Sequence, residues 1–411
     1  MGIRRFLFGL LLLPLSLRGA VLDLQGGTET LHVTNVLRAA TVLTNGTFIA
    51  TNHQLFTAFP VGTVTVAAGA RLVFPAEAGR NIFHTYHTGL TVLEVSGGEV
   101  EVNSWREENG TSHHWGYGLE KDITAVLRVT RDGGFRSTRP CGAVLDRYYF
   151  TVGFGGHAVP TGILIGVDSP NRGFDFAGRV CLGWQAVTGV YCTNTLFRAE
   201  NIVFGGVTAN KHGGYAEAVF AGGSVVETKG FCGGFTRDVS ADVLFDGATV
   251  RARPTAADDA LNAQTNFFGG AADLVAYAIG PGGLTFDNGG CDVTIAYGLN
   301  GTGPLTLAGA GTTRIACDQP LAGELVVGPA LAFRPARNLV FAGPVAVTDE
   351  AALERPEIPA GHNHVRLFSA AAVRGLTGRK DAQRRHFFTI PGRFGVELHW
   401  GARPGTEVRV R

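Results

Sequence analysis

Short runs of alternating apolar and polar residues, separated by turn residues, occupy most of the chain. They are clearest between Gly282 and Leu331, in the runs LTF, DVTIA, PLTL, TTRIA and ELVV. Alternation with a period of two places every second side chain on one face of a β-strand. Glycine and Asn-Gly at the breaks permit the positive φ angles of tight turns. The pattern therefore predicts short strands with a corner between each pair, and no helix in this stretch.

The same alternation recurs along the rest of the chain. Before residue 103 it gives the runs LHVTNV, TVLTNGTFIA, GTVTVAA, ARLVF, LTVLEV and GEVEVN. Comparable units lie about 20 to 25 residues apart, and one such unit buries its apolar face only when a neighbour stacks on it. The pattern predicts an all-β chain of stacked coils, which is a β-solenoid.

Three segments of the clearest stretch also resemble a known family. GGLTFDNGGCDVTIA, GLNGTGPLTLAGAGTT and LAGELVV are similar to the autotransporter-associated β-strand repeat of bacterial surface and secreted proteins. The chain departs from the repeat at Leu307 and Ala308, where the family often has Lys-Thr, and at Thr313–Ile315, where it usually has Leu-Thr-Leu. The resemblance implies a right-handed parallel β-helix, a stalk or display scaffold, and no catalytic residues.

The first twenty residues have the composition of an export signal. Arg4 and Arg5 precede an apolar run from Phe6 to Leu17, and Gly19-Ala20 follows it. The run is shorter than the roughly 20 apolar residues that a membrane-spanning helix needs. We interpret residues 1–20 as a signal peptide cleaved near Ala20, and expect a secreted or cell-surface protein without a transmembrane segment after cleavage.

The alternation also suggests how the mature chain is divided. Residues 21–360 are expected to form the solenoid, with a loop insertion near residues 105–122, where WREENGTSHHWGYGLEKD breaks the pattern. Residues 361–411 end in the strand-like runs GVELHW and TEVRVR. The last open rung of a solenoid needs a cover, so this segment is expected to be a C-terminal β cap. We expect no translocator barrel of the kind that ends an autotransporter.

Composition adds limits on partners and on redox chemistry. The 411 residues include 59 glycines and carry a formal net charge of +1, which gives no indication of a nucleic-acid partner. Six cysteines in an exported chain permit disulfides. Sequence does not choose among the possible pairings. If bridges form, Cys181–Cys192, the closest pair in sequence, could span two neighbouring strands, and Cys291–Cys317 could stack across adjacent rungs. Buried reduced thiols remain the alternative.

Candidate chemistry is sparse. Asp258 and Asp259 are the only adjacent aspartates, and the histidines of FHTYH and of His113-His114 would diverge along a strand. The aromatic residues of the predicted insertion, which offer flat surfaces for sugars, are Trp105, Trp115 and Tyr117. No metal ligand set or cofactor motif is expected.

These observations favour a secreted or cell-surface, structural or adhesin-like β-solenoid protein without catalytic activity. Its expected partners are surface glycans or components of a host or cell surface. Two alternatives stay open at this point. The first is a β-helix polysaccharide lyase or glycosidase, which would need paired acids in an open groove. The second is a carbohydrate-binding module that uses the aromatic residues of the insertion.

Overall fold

The computed structural model describes residues 20–31, 41–50, 62–74, 89–102, 113–117, 123–138, 149–154, 160–205, 212–233, 237–254, 266–269, 274–376 and 378–403. These residues form 35 β-strands and one 3-10 turn at Glu350–Ala352, and they contain no α-helix. Among them, no helix is long and apolar enough to cross a membrane. The predicted signal peptide lies outside the described residues except for Ala20.

The strands are numbered in chain order. The first seventeen are β1 (Val21–Asp23), β2 (Thr28–Leu31), β3 (Thr41–Thr44), β4 (Gly46–Ala50), β5 (Gly62–Ala67), β6 (Ala70–Phe74), β7 (Gly89–Ser96), β8 (Glu99–Val102), β9 (His113–Tyr117), β10 (Ile123–Thr130), β11 (Gly134–Ser137), β12 (Tyr149–Phe154), β13 (Pro160–Phe176), β14 (Arg179–Trp184), β15 (Val187–Arg198), β16 (Ile202–Phe204) and β17 (His212–Ala221). The others are β18 (Val225–Thr228), β19 (Phe231–Gly233), β20 (Arg237–Asp246), β21 (Ala248–Ala252), β22 (Val275–Ile279), β23 (Leu284–Asp287), β24 (Val293–Ile295), β25 (Asn300–Gly301), β26 (Leu305–Ala308), β27 (Thr312–Ile315), β28 (Leu325–Val327), β29 (Ala332–Pro335), β30 (Leu339–Phe341), β31 (Val345–Val347), β32 (His364–Ala370), β33 (Val373–Arg374), β34 (His386–Gly392) and β35 (Gly395–Gly401).

Parallel pairing between successive coils builds three faces. The first face is β1-β3-β5-β7-β10-β13-β15-β17-β20-β22-β25. The second face is β2-β4-β6-β8-β11-β13-β15-β18-β21-β23-β26-β28-β31-β33. The third face consists of β9-β12-β14-β16-β19 and β24-β27-β29. Strands β13 and β15 bend through the first corner, so they belong to the first and second faces. The predicted all-β, parallel β-solenoid is confirmed.

The corner after β23 illustrates how sequence sets the coil. Asp287 accepts a hydrogen bond from the amide of Gly289 at 2.9 Å, and Gly289 has a φ of +60°. Asn288 is fully buried, and its Oδ1 accepts from the amides of Gly290 and Gly311, each at 3.0 Å. A buried amide side chain with these partners satisfies backbone groups that the turn leaves unpaired. The polar residues predicted to form a corner therefore do so.

Coil length varies along the chain. From β23 to β31, in-register positions recur at a nearly constant interval, at Leu284, Leu305, Leu325 and Val345. Upstream the interval is almost twice as long, between Val129 and Gly166. The spacing between rungs is set by strand pairing and stays constant. The fourteen strands of the second face, at about 4.8 Å per rung, therefore extend over roughly 60 Å.

One core runs through the coils into the cap. Inward side chains alternate with outward ones, and phenylalanine rings contact each other between rungs, as at Phe174 and Phe197, whose centroids are 5.8 Å apart. The parallel order ends at β32, which pairs in parallel with β30 but antiparallel with β35, and β35 pairs antiparallel with β34. The buried ring of Trp400 belongs to the same core. The predicted C-terminal β cap is confirmed.

Charged residues on the outside of the second face alternate in sign along the solenoid. Seven consecutive rungs place one such residue at the same register position: Glu101, Arg136, Asp175, Arg198, Glu227, Arg251 and Asp287. We call this series the charge ladder. Its closest contacts join Arg198 to Glu227 at 2.8 Å and Arg251 to Asp287 at 2.9 Å. The hydrogen bond from Arg251 to Asp287 raises the pKa of the guanidinium, with Glu227 adding to the effect.

Candidate functional site

A concave surface lies where the third face meets the cap. The cavity has a volume of about 250 Å³ and is lined mainly by arginine with proline and apolar residues: Arg314, Arg334, Pro335, Ala336, Arg337, Glu354, Pro356, Arg366 and Leu367. We call it the arginine pocket. Ligand pockets for drug-sized molecules occupy about 300–1,000 Å³, so this one suits a smaller group.

Strand register creates the positive charge of the pocket. Arg314 on β27 and Arg334 on β29 are direct partners in the parallel pairing. Like charges at directly opposed positions repel each other. Arg334 is 3.9 Å from Glu354, with both side chains about half exposed, so this ion pair is loose. Among the described residues, no ion pair involves Arg314 or Arg337.

The fourth guanidinium of the pocket is held in place. Arg366 on β32 donates from Nη1 to Glu397 at 2.9 Å and from Nε to Asn338 at 3.2 Å. Burial opposes ionisation of Glu397, yet its hydrogen bonds with Arg366 and His399 leave the pKa of this carboxyl below its usual value. The cap therefore presents a fixed cation beside the two exposed arginines of the third face.

The first face carries a second polar surface. Tyr191 on β15 lies against Gly189, since a Cβ at position 189 would be 2.5 Å from Cε2 of the ring. Its hydroxyl donates to Glu217 at 2.7 Å, and Tyr215 donates to Asp242 at 2.8 Å. Burial, together with these carboxylates, raises the pKa of both tyrosines. We call these four residues with Gly189 the tyrosine patch.

The carboxylates of the tyrosine patch differ from those of the charge ladder. Glu217 and Asp242 are direct register partners on β17 and β20. Within the part of the chain that the structure describes, no arginine or lysine forms an ion pair with either carboxylate. An apolar cluster of Val92, Val126 and Ile165 packs beside Tyr191 on the same outer surface. The ring of Tyr191 is thus held by contact with Gly189, by the apolar cluster beside it and by the hydrogen bond from its hydroxyl to Glu217.

The aromatic residues chosen from the sequence lie elsewhere. Trp105 is outside the described residues. Trp115 and Tyr117 belong to β9, whose positions are in register with Val152 and Phe154 of β12. Part of the expected insertion near residues 105–122 is therefore a strand of the third face. The structure does not bring these positions to the arginine pocket or to the tyrosine patch.

The predicted cysteine pairs are not joined by disulfides. Cys181 lies on β14 of the third face and Cys192 on β15 of the first face, and both are buried. Burial raises the pKa of the Cys192 thiol. The sulfur of Cys291 lies 3.9 Å from the carbonyl oxygen of Gly289, whereas that of Cys317 lies 3.2 Å from Nε2 of Gln319. No disulfide joins the described cysteines to one another.

The remaining candidates from the sequence are only partly described. Asp258, Asp259 and the histidines of FHTYH lie outside the described residues, and His113 and His114 are positions of β9. Across the described ranges, no three His, Cys, Asp or Glu residues are grouped so as to hold a metal ion.

Sequence reasoning missed the arginine pocket. Arg314 follows Thr313 and Arg334 follows Phe333, and these positions are one coil apart. Aligning TTRI with AFRP at the period of the coils would have placed the two arginines side by side. Arg366 comes from the cap, and no sequence pattern links it to them.

Comparison with known proteins gives no match. No family model, no curated protein and no solved structure matches this chain.

Proposed function

We propose that this protein is an exported, structural or adhesin-like β-solenoid, displayed at the cell surface or released, and without catalytic activity. The observation that carries this proposal is the charge ladder. Its charged residues pair with one another along seven rungs, and opposite charges on neighbouring strands stabilise a sheet. The charge ladder therefore stabilises the stacking of seven successive coils, as a structural rod requires. The resemblance to the autotransporter-associated repeat, and the composition of residues 1–20, support export.

Export and display are tested together. The full chain is expressed in a bacterium that has a secretory pathway, and mass spectrometry determines the N-terminus of the exported protein. Loss of about the first 20 residues, with the remainder accessible to antibody on intact cells or found in the medium, is expected. Exported material that retains residues 1–17, or material confined to the cytoplasm, would contradict the proposal.

The absence of catalysis is tested on the purified protein. We expect no depolymerisation of pectin-like, alginate-like or other polysaccharides, and hence no effect of the double substitution Asp258→Asn with Asp259→Asn. Reproducible depolymerisation that this double variant loses would favour the alternative of a β-helix lyase or glycosidase.

A further inference from the structure

We propose that the arginine pocket binds the oxyanion groups of an acidic saccharide. The inference names the partner of the adhesin-like function proposed above and rests on that function for its biological setting. The shared chemistry is a carboxylate or sulfate group on a sugar residue. The resemblance to the autotransporter-associated repeat implies no ligand-binding residues, so this binding role does not come from it.

The charge of the pocket is the first reason. Four guanidinium groups surround it, and Glu354 is the acid among its lining residues. Each arginine of the charge ladder lies between acids on the two neighbouring rungs. Arg314 and Arg334 instead lie opposite each other. A bound oxyanion would supply negative charge between these two arginines.

The chemistry of arginine is the second reason. Its planar guanidinium donates two parallel hydrogen bonds to a carboxylate or sulfate, which lysine cannot do. Two arginines on adjacent rungs, about 4.8 Å apart, can bind separate oxygens of one group. Arg366, already oriented by Glu397 and Asn338, loses little side-chain freedom when it donates to a ligand.

The surroundings favour a saccharide over a bare ion. The cavity of about 250 Å³ is larger than a single sulfate requires and has room for one sugar unit. Pro335, Pro356 and Leu367 line it beside the guanidinium groups. Apolar surfaces of this kind pack against the C–H face of a sugar ring, while its acidic group lies toward the arginines.

Calorimetric titration of the purified full chain tests the proposal with matched ligands. The probes are a galacturonate trisaccharide, its methyl ester, a sulfated trisaccharide and inorganic sulfate at constant ionic strength. Binding of one or both acidic trisaccharides, at least tenfold tighter than of the methyl ester and of inorganic sulfate, is the expected result. The two acidic trisaccharides distinguish carboxylate from sulfate as the source of the oxyanion. Equal affinity for acid and methyl ester, or tighter binding of inorganic sulfate, would overturn the proposal.

Variants locate the binding. Arg314→Gln and Arg334→Gln should each weaken acid binding about tenfold or more, because hydrogen bonds to charged groups contribute about that factor. Arg314→Lys keeps the charge and should retain an intermediate affinity. Arg136→Gln makes the same change on the charge ladder and should bind as the unaltered protein does. A loss of affinity in Arg136→Gln equal to that in Arg314→Gln would refute a localised site.

Two outcomes separate this proposal from the function on which it rests. Failure of every trisaccharide to bind, with the charge and fold of the protein intact, would refute the pocket assignment and leave the structural role in place. Cleavage of a trisaccharide would instead refute the non-catalytic function. Tighter binding to anionic phosphatidylserine vesicles or to DNA than to the acidic trisaccharides would replace the saccharide by those partners.

Discussion

Two glutamates on different faces of the solenoid have neighbours of opposite charge: Glu227 lies between arginines, whereas Glu217 lies beside another acid. Glu227 accepts from Arg198 at 2.8 Å and from Arg251 at 3.1 Å, and its side chain is 16% exposed. Glu217 accepts from a tyrosine hydroxyl and lies opposite a second acid, Asp242. The same residue type therefore stabilises one face and repels its neighbour on the other.

Neutralising each of these glutamates should separate the two roles. Glu227→Gln should lower the free energy of unfolding by about 1–2 kcal/mol, because it leaves two arginines without their shared partner. Glu217→Gln should change it by less than about 0.5 kcal/mol, or raise it, because it removes a like-charge pair. Urea unfolding at neutral pH measures both. Equal destabilisation by the two substitutions would contradict this difference.

Tyrosines of the first face should make the protein sensitive to alkali. The ordinary tyrosine pKa is about 10, and burial with hydrogen bonding raises the folded pKa of Tyr191 and Tyr215 above it. The stabilisation from a raised pKa is complete below about pH 10 and is lost as the pH rises above that value. Urea midpoints should therefore stay constant up to about pH 10 and fall as the pH is raised from there to about 11.5.

The phenylalanine variants provide the control for this pH dependence. The double variant Tyr191→Phe with Tyr215→Phe should be less stable at pH 8, since two hydrogen bonds are lost. It should also show a shallower decline over the alkaline range, with the remainder attributable to buried Tyr277, whose pKa burial also raises. An unchanged decline would mean that these two hydroxyls do not set the alkaline limit.

At the scale of elements, the strands most accessible to sequence reasoning are those of the Gly282–Leu331 stretch. LTF alternates apolar and polar residues, and burial alternates along the corresponding strand β23. Burial alternates in the same way along β27 and β28, although TTRI and LVV alternate less clearly in sequence. Strand β9 was harder to predict, because HHWGY has no apolar alternation. The charge ladder and the arginine pocket depend on register between residues a whole coil apart, which local patterns do not define.

The cap depends on a few large side chains. Trp400 is 3% exposed, packs against Phe387 with ring centroids 4.7 Å apart, and has Arg355 above its ring at 5.2 Å. Its strand, β35, holds together both other antiparallel partners, β32 and β34. Loss of this ring should therefore disturb the whole cap.

Trp400→Ala should cost about 3–5 kcal/mol and expose strand edges that pair with other chains. We expect concentration-dependent self-association, observed by size-exclusion chromatography with light scattering. Phe394→Ala is the matched control, since that ring is 51% exposed, and this variant should remain as the unaltered protein. Self-association of both variants to the same degree would remove the cap as its cause.

The whole molecule should behave as an elongated β-protein. The second face alone extends over roughly 60 Å at about 4.8 Å per rung. Solution scattering should give an elongated particle, and circular dichroism mostly β-sheet. A helix content above about a third, which is typical of globular proteins, would contradict the fold.

The alternation of the charge ladder also has a consequence for how the coils find their order. In the native order, each charged rung lies next to one of opposite sign. If the chain omitted a coil while stacking, Glu101 would lie beside Asp175, or Arg198 beside Arg251, and directly opposed like charges would repel. Many coils here have similar apolar interiors, so the core alone distinguishes poorly between neighbours. The charge ladder therefore selects the native stacking order during folding, because an arrangement that skips one coil is raised in free energy by repulsion between like charges.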